Sequence, residues 1–393
     1  MTCLAGDHQE NSKERTRIIN HYVQELCILS TCRNPSYILH YIVPCLTGLK
    51  RLVWRADPPP DLLLHVRKLS SLEEISLNWY SYYDLLPPLE LTWPLKRLNW
   101  DICVSCVFPN VSILDQILAA KGPELESLSI RIDRDIRLET CFSKLSSLRI
   151  YGSKVKRIGL HSGHDVWKQT PMLSHLEIRC DECIYPDTMD HLFLTIPSLK
   201  SLIWIPMCMT DTPALFIDRN RQISSLVTQG LGRAPTIELL ELASTLQQLS
   251  IGLGKCGATR QNDEDRPGIN LCLKKMKNLV GVKDLHIDFP HGIVVQQDIV
   301  PEPFSPLKLT KLAFTGGDSK QQPTIKKLRK RAGKFFEKIS TLEWILLCGM
   351  QFFRSGREEP VQKGDTDPRR MMNFPDPGWQ ERRKRPVMFA EDL

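Results

Sequence analysis

A short hydrophobic phrase recurs along this chain: an apolar residue, two variable ones, Leu or Ile, one variable residue, then another apolar one. It is carried by Val23, Leu26 and Ile28; Leu49, Leu52 and Trp54; Leu72, Ile75 and Leu77; and Leu95, Leu98 and Trp100. It continues with Leu125, Leu128 and Ile130; Leu145, Leu148 and Ile150; Leu173, Leu176 and Ile178; and Leu199, Leu202 and Trp204. The last four are Leu246, Leu249 and Ile251; Val282, Leu285 and Ile287; Leu309, Leu312 and Phe314; and Leu342, Ile345 and Leu347. Most steps between middle residues fall in or near a band of about 20–29 residues. The step from Leu202 to Leu249 is about twice as long and predicts a degenerate repeat between Pro213 and Pro235.

The closing alternation of each phrase has the period of a short strand, with apolar residues facing inward and variable residues outward. Between strands lie helical candidates. Asp61 precedes Leu62–Val66, Asn110 precedes Val111, Leu114, Ile117 and Leu118, and Asp187 precedes Met189, Leu192, Phe193 and Ile196. Asp and Asn are good helix N-caps. Strand, turn, helix and return make one leucine-rich-repeat unit, which buries its apolar face only by stacking. The expected fold is α/β: an irregular leucine-rich-repeat solenoid, a horseshoe with a parallel concave sheet and helices or turns on the convex side. Its expected organisation is a polar N-terminal segment over 1–19, a solenoid of about 12 repeats over 20–354 with an insertion loop at 254–270, and a largely disordered charged tail over 355–393.

Charge sharpens this picture by its position. The chain carries a net +7. The run 320–338 alone holds Lys320, Lys326, Lys327, Arg329, Lys330, Arg331, Lys334 and Lys338 against Glu337, so the remainder is close to neutral. That excludes a generally basic surface for coating nucleic acid. Ile325, Leu328, Ala332, Phe335 or Phe336, and Ile339 share one helical face, which leaves Lys326, Lys327, Arg329, Lys330, Arg331 and Lys334 on the rest. No apolar stretch approaches the roughly 18 residues of a membrane span. Met1–Arg17 is polar and acidic in places, unlike a secretory signal. The 13 scattered cysteines then read as reduced thiols of a cytoplasmic or nuclear protein, most of them small core residues.

Motifs with chemical meaning are few. Gly252, Gly254 and Gly257 spell G-x-G-x-x-G, but a polar loop follows instead of the helix a dinucleotide needs. Cys103 with Cys106 and Cys180 with Cys183 form two C-x-x-C pairs about 75 residues apart, too far apart in a stack for one zinc ion. His161, His164 and Asp165 crowd one inter-repeat turn with no fourth ligand in view. We therefore expect no catalytic residue, metal, cofactor or small-molecule substrate, and an enzyme built on the Cys and His clusters is the weakest reading. Arg382–Arg385 has the composition of a nuclear-import signal.

A protein-binding scaffold is the expected function. Its surface is the row of variable strand positions Arg51, Arg55, Glu74, Asn78, Arg97, Asn99, Asp101, Arg131, Arg149, Tyr151, His175, Glu177 and Arg179. Arg and Tyr dominate interface energetics. The later repeats put Ile203, Ile205, Ala313 and Leu346 in the equivalent places. The alternative is an acidic partner or nucleic acid on the basic helix, with nucleic acid the less favoured of the two.

The irregular steps, the tryptophans ending strands, and an ending in which a basic helix precedes Leu342-Glu343-Trp344-Ile345-Leu346-Leu347 and Gln351-Phe352-Phe353-Arg354 resemble the repeat region of fungal F-box/leucine-rich-repeat proteins. The resemblance covers about residues 20–355. It implies substrate recognition within a ubiquitin-ligase-type complex. That family's F-box opens with a Leu-Pro-x-Glu-like phrase that does not occur here, so a ligase scaffold would be reached through a module not recognisable in this sequence.

Overall fold

The computed structural model describes residues 23–28, 35–55, 62–79, 92–102, 110–131, 136–137, 142–152, 158–159, 170–180, 196, 198–206, 222–228, 245–253, 272–289, 299–316, 323–360, 371–372, 374 and 388–389. The polar segment 1–19 and the insertion loop 254–270 lie outside them, as do Cys103, Cys106, Cys183, His161, His164, Asp165, Gly254, Gly257 and Arg382–Arg385. The chain forms two compact units, Met1–Leu173 with Gly378–Leu393, and Ser174–Pro377. Repeats contact only their neighbours, so a long stack has no single centre.

Unit 1 holds β1 (Glu25–Ile28), β2 (Arg51–Trp54), β3 (Glu74–Trp79), β4 (Arg97–Ile102), β5 (Ser127–Arg131) and β7 (Ser147–Gly152), paired in that order as a parallel sheet. A two-stranded parallel ladder, β6 (Ile136–Arg137) with β8 (Ile158–Gly159), stands apart from it. The middle residues of the phrases meet in register, Leu26, Leu52, Ile75, Leu98, Leu128 and Leu148. All six are buried, and so are Trp54 and Trp100 two places further on. Each fully buried side chain of this size contributes about 1.5–3 kcal/mol. The helical candidates after Asp61 and Asn110 form α1 (Leu62–Val66) and α2 (Asn110–Lys121), and Leu62, Leu63, Val66, Leu114, Ile117 and Leu118 are buried.

Unit 2 repeats the scheme with β9 (His175–Cys180), β10 (Ser201–Pro206), β11 (Ser225–Thr228), β12 (Gln248–Gly252), β13 (Asp284–Phe289), β14 (Lys311–Gly316) and β15 (Trp344–Leu347), all parallel. β11 is the degenerate repeat expected between Pro213 and Pro235. Leu226 aligns with Leu202 and Leu249, while Thr228 takes the apolar closing place and is buried. Its hydroxyl has no hydrogen-bond partner among the described residues. One carbonyl per repeat accepts two consecutive N–H groups where the next strand begins. Examples are Lys50 O from Glu73 and Glu74, and Gln247 O from Lys283 and Asp284. This satisfies the backbone at each turn of the stack.

The parallel order stops at a hairpin. Cys348 and Gly349 both have positive φ (49° and 76°), as a two-residue hairpin turn with left-handed twist positions requires, and β16 (Met350–Phe353) returns antiparallel to β15. β17 (Glu358–Pro360) follows antiparallel to β16. The helix α3 (Ile325–Lys338) buries Leu328, Ala332 and Phe335 beside Phe304 and Phe314. Arg354 closes its C-terminal end: Nη2 donates to Phe336 O at 2.8 Å and Ile339 O at 2.7 Å, and Nε donates to Leu342 O at 2.7 Å. A cation there also complements the helix dipole.

Within 355–393, expected as a largely disordered tail, the structure describes residues 355–360, 371–372, 374 and 388–389. Among these are β17, a short strand β18 (Met388–Phe389) paired with β1 in unit 1, and the buried side chains Met372 and Phe374 in unit 2.

Candidate functional site

Strand periodicity places the expected row on the sheet face opposite the stacked leucines. Three outward positions alternate along each strand, and the register aligns each of them across neighbours.

In unit 1 the first position runs Glu25, Arg51, Glu74, Arg97. These charges form a ladder of alternating sign. Arg51 donates to Glu25 and to Glu74, the latter at 2.8 Å, and Arg97 lies 3.7 Å from Glu74. The side chains of Glu25, Arg51 and Glu74 are 7%, 13% and 11% exposed, whereas Arg97 is 46% exposed. The ladder therefore has an interior end and an open end. Arg51 is a structural counter-ion; Arg97 faces solvent.

At the second position Asn99 donates to Ser76 at 2.9 Å, and Ser129 and Arg149 follow in register. Arg149 is buried, which corrects its expected place among freely exposed row residues. A large, weakly hydrated cation can tuck under its neighbours because its aliphatic stem packs as apolar surface. At the third position Arg131 lies 3.6 Å from its register partner Asp101 and is 60% exposed. Arg55 is exposed and Tyr151 half-buried. Asn78 sits on β3, and its side chain lies outside the described set.

These side chains surround one depression of about 210 Å³, lined by Glu74, Arg97, Asn99, Asp101, Arg131, Arg149 and Tyr151 with Leu98, Ser127 and Ser129. Four neighbouring strands, β3, β4, β5 and β7, present here a wall of donors and acceptors. The lining carries three guanidinium groups and two carboxylates, and Glu74 and Asp101 each already face an arginine.

The rest of the expected row, His175, Glu177 and Arg179, begins unit 2. His175 and Glu177 are buried, and Arg179 Nε donates to Glu177 at 2.5 Å. Beyond them the second position is Ile203, Val227, Ser250, His286, Ala313 and Leu346. Sequence reasoning noted its apolar members but missed the polar pair within. Thr315 donates to Asp288 at 2.7 Å, so its oxygen accepts from His286 Nε2 at 2.8 Å. Nδ1 of the same ring is hydrogen-bonded to the Ser250 hydroxyl at 2.7 Å. The hydrogen-bonded chain runs Ser250, His286, Thr315, Asp288. Its signal in the sequence is only a serine, a histidine, an aspartate and a threonine at aligned places in three repeats, visible once the register is known.

The basic helix residues Lys326, Lys327, Arg329, Lys330 and Lys334 are exposed on α3. Arg329 pairs with Glu358, whose hydrogen bond holds the guanidinium pKa above its ordinary value. Arg331 donates to the carbonyl of Ile299. Lys327, Lys330, Arg331, Lys334 and Lys338 line a hollow of about 820 Å³ together with Glu302, Glu337 and the segment from Ile299.

Among the described residues no group of three or more His, Cys, Asp or Glu side chains could hold a metal ion. Burial pushes the Cys27 and Cys272 thiols up from their ordinary range, against nearby Arg55 and Arg51 in the case of Cys27. A protonated buried thiol is a core residue rather than a nucleophile. No helix among the described residues is long and apolar enough to cross a membrane.

No family model and no curated protein matches the chain. Among solved structures, one in the crystal structure of the Rad7 and Elc1 complex in yeast is similar over 82% of this chain and 88% of its own, at 15% identity and a TM-score of 0.44. The crystal structure of the leucine-rich repeat domain of APL1B is similar over 72% of this chain and 88% of its own, at 12% identity and a TM-score of 0.27.

Proposed function

We propose that the chain is a non-enzymatic binding scaffold that takes a protein partner on the outward row of unit 1. The observation that carries this is the depression shared by β3, β4, β5 and β7, where Arg97 and Arg131 stand open beside Asn99, Asp101 and Tyr151. A mixed wall of this kind selects by hydrogen-bond geometry and by charge sign together. The two open arginines favour an acidic group on the partner, received between them. The resemblance of the repeat pattern to F-box/leucine-rich-repeat proteins suggests the setting: selection of a substrate in a ubiquitin-ligase-type complex, in the cytoplasm or nucleus.

A second reading rests on the basic hollow beside α3, which suits an acidic partner through charge density rather than pattern. Capture from cell extract with the chain as bait separates the two. Arg97→Ala/Arg131→Ala should lose the principal partner, and Lys326→Gln/Lys327→Gln/Lys330→Gln should keep it with a slower, salt-sensitive association. The reverse pattern moves the site to α3.

A further inference from the structure

Unit 2 presents a different kind of row, and it is already occupied. Ile203, Val227, Ala313 and Leu346, with Trp344 beside them, form one buried cluster with Met372 and Phe374, and Met371 packs on its margin. Met372 and Phe374 are 0% and 4% exposed. Both side chains are seated on the outward row. Met371, Met372 and Phe374 belong to no strand of the sheet, and no backbone hydrogen bond among the described residues ties them to it. Among the described residues, Met371, Met372 and Phe374 meet the row through side-chain packing.

We propose that Met371, Met372 and Phe374 form an internal ligand: a strap on the outward row of unit 2 that yields to a partner's segment carrying large, unbranched or aromatic apolar side chains. Four features argue for exchange rather than a fixed core. The anchor that is most completely buried is a methionine, whose flexible thioether adapts to irregular surfaces and marks sites that repack. Among the described residues the strap contributes no ladder hydrogen bond, so lifting it breaks no repeat. The row beneath is complete without it, since each strand is paired on both sides from β10 to β15. Finally, Ser250 and His286 lie between Val227 and Ala313 in the row and are buried, yet they satisfy each other and end on Thr315 and Asp288. A self-contained polar relay can be covered by any apolar segment, the strap or another, without leaving a donor stranded. A tethered strap competes at an effective concentration on the order of millimolar, so a partner must bind the open row with micromolar affinity or better.

The test uses the full chain and a fluorescein-labelled peptide with the sequence of residues 368–377. In anisotropy titrations Met372→Ser/Phe374→Ser should bind this peptide at least tenfold more tightly than the unaltered chain does. A peptide carrying the same two serines should not bind, and Val227→Lys added to the chain should abolish binding. Arg97→Ala/Arg131→Ala should leave the titration unchanged, which keeps this proposal distinct from the reading of unit 1. No binding by the double variant, or equal binding by both chains, overturns the proposal. The unaltered chain supplies a second readout that needs no variant. Under dilute peroxide, Met372 should oxidise at least tenfold faster than Met276, which is equally buried in the same unit. Equal rates would mean that the strap opens only when unit 2 unfolds, and would overturn the proposal as well.

Discussion

The two units use one backbone scheme and dress its outward face in opposite ways. In unit 1 the row is polar, begins in a buried charge ladder and opens into a depression lined by Arg97, Asn99, Asp101, Arg131 and Tyr151. In unit 2 the equivalent places hold Ile203, Val227, Ala313 and Leu346 under Met372 and Phe374. The inward leucines fix the stack in both, so the outward row is free to vary without cost to the fold. A polar row can stay open in water. The apolar members on either side of Ser250 and His286 would be sticky in water and gain from a cover.

Substitutions in the two units should have very different effects. The largest effect should come from Arg51→Met. It leaves Glu25 and Glu74 buried without the guanidinium between them and should cost unit 1 about 3–5 kcal/mol in chemical denaturation. Next is Gly316→Ala in unit 2. A Cβ there would sit 2.0 Å from the carbonyl oxygen of Phe289, and the residue has φ +71°, so a loss of about 2–3 kcal/mol is expected in the same assay. Ser250→Ala should be milder, about 1–2 kcal/mol, because it strips buried His286 Nδ1 of its hydroxyl partner. Thr228→Val should change sign. It removes a buried, unpartnered hydroxyl and should stabilise unit 2 by about 1 kcal/mol. Smallest of all is Arg97→Ala/Arg131→Ala. Both side chains are largely exposed, so stability should move by less than about 0.5 kcal/mol even though partner capture is lost. A large destabilisation by that pair would place the open end of the ladder inside the fold.

The repeat was legible because its signal is redundant. Leu26, Leu52, Ile75 and their successors each repeat the same apolar choice at the same place, and all of them align. β11 was legible only as a gap, because Thr228 stands where the phrase asks for an apolar residue. The hairpin at Cys348 and Gly349 carries none of the Asn-Gly or Asp-Gly chemistry that advertises such a turn. The outward row could be enumerated from alternation, but its state could not. Whether Arg51 or Arg97 faces water depends on which carboxylates neighbouring strands bring beside it. The strap was hidden for a different reason. Met371, Met372 and Phe374 sit in a stretch whose average composition is that of a tail, and only the uncovered apolar row of unit 2 gives them a place to go.

The contrast between an open row and an occupied one is tested most directly by a photo-crosslinking amino acid, p-benzoylphenylalanine, placed in turn at Asn99 and at Ile205 of the full chain and irradiated in cell extract. Asn99 borders the depression in unit 1, and Ile205 packs against the covered cluster in unit 2. From Asn99 the account predicts an adduct with a separate protein that disappears in Arg97→Ala/Arg131→Ala. From Ile205 it predicts an adduct within the same chain, mapping to residues 371–374. An intrachain adduct from Asn99, or an adduct from Ile205 that avoids 371–374, would contradict it.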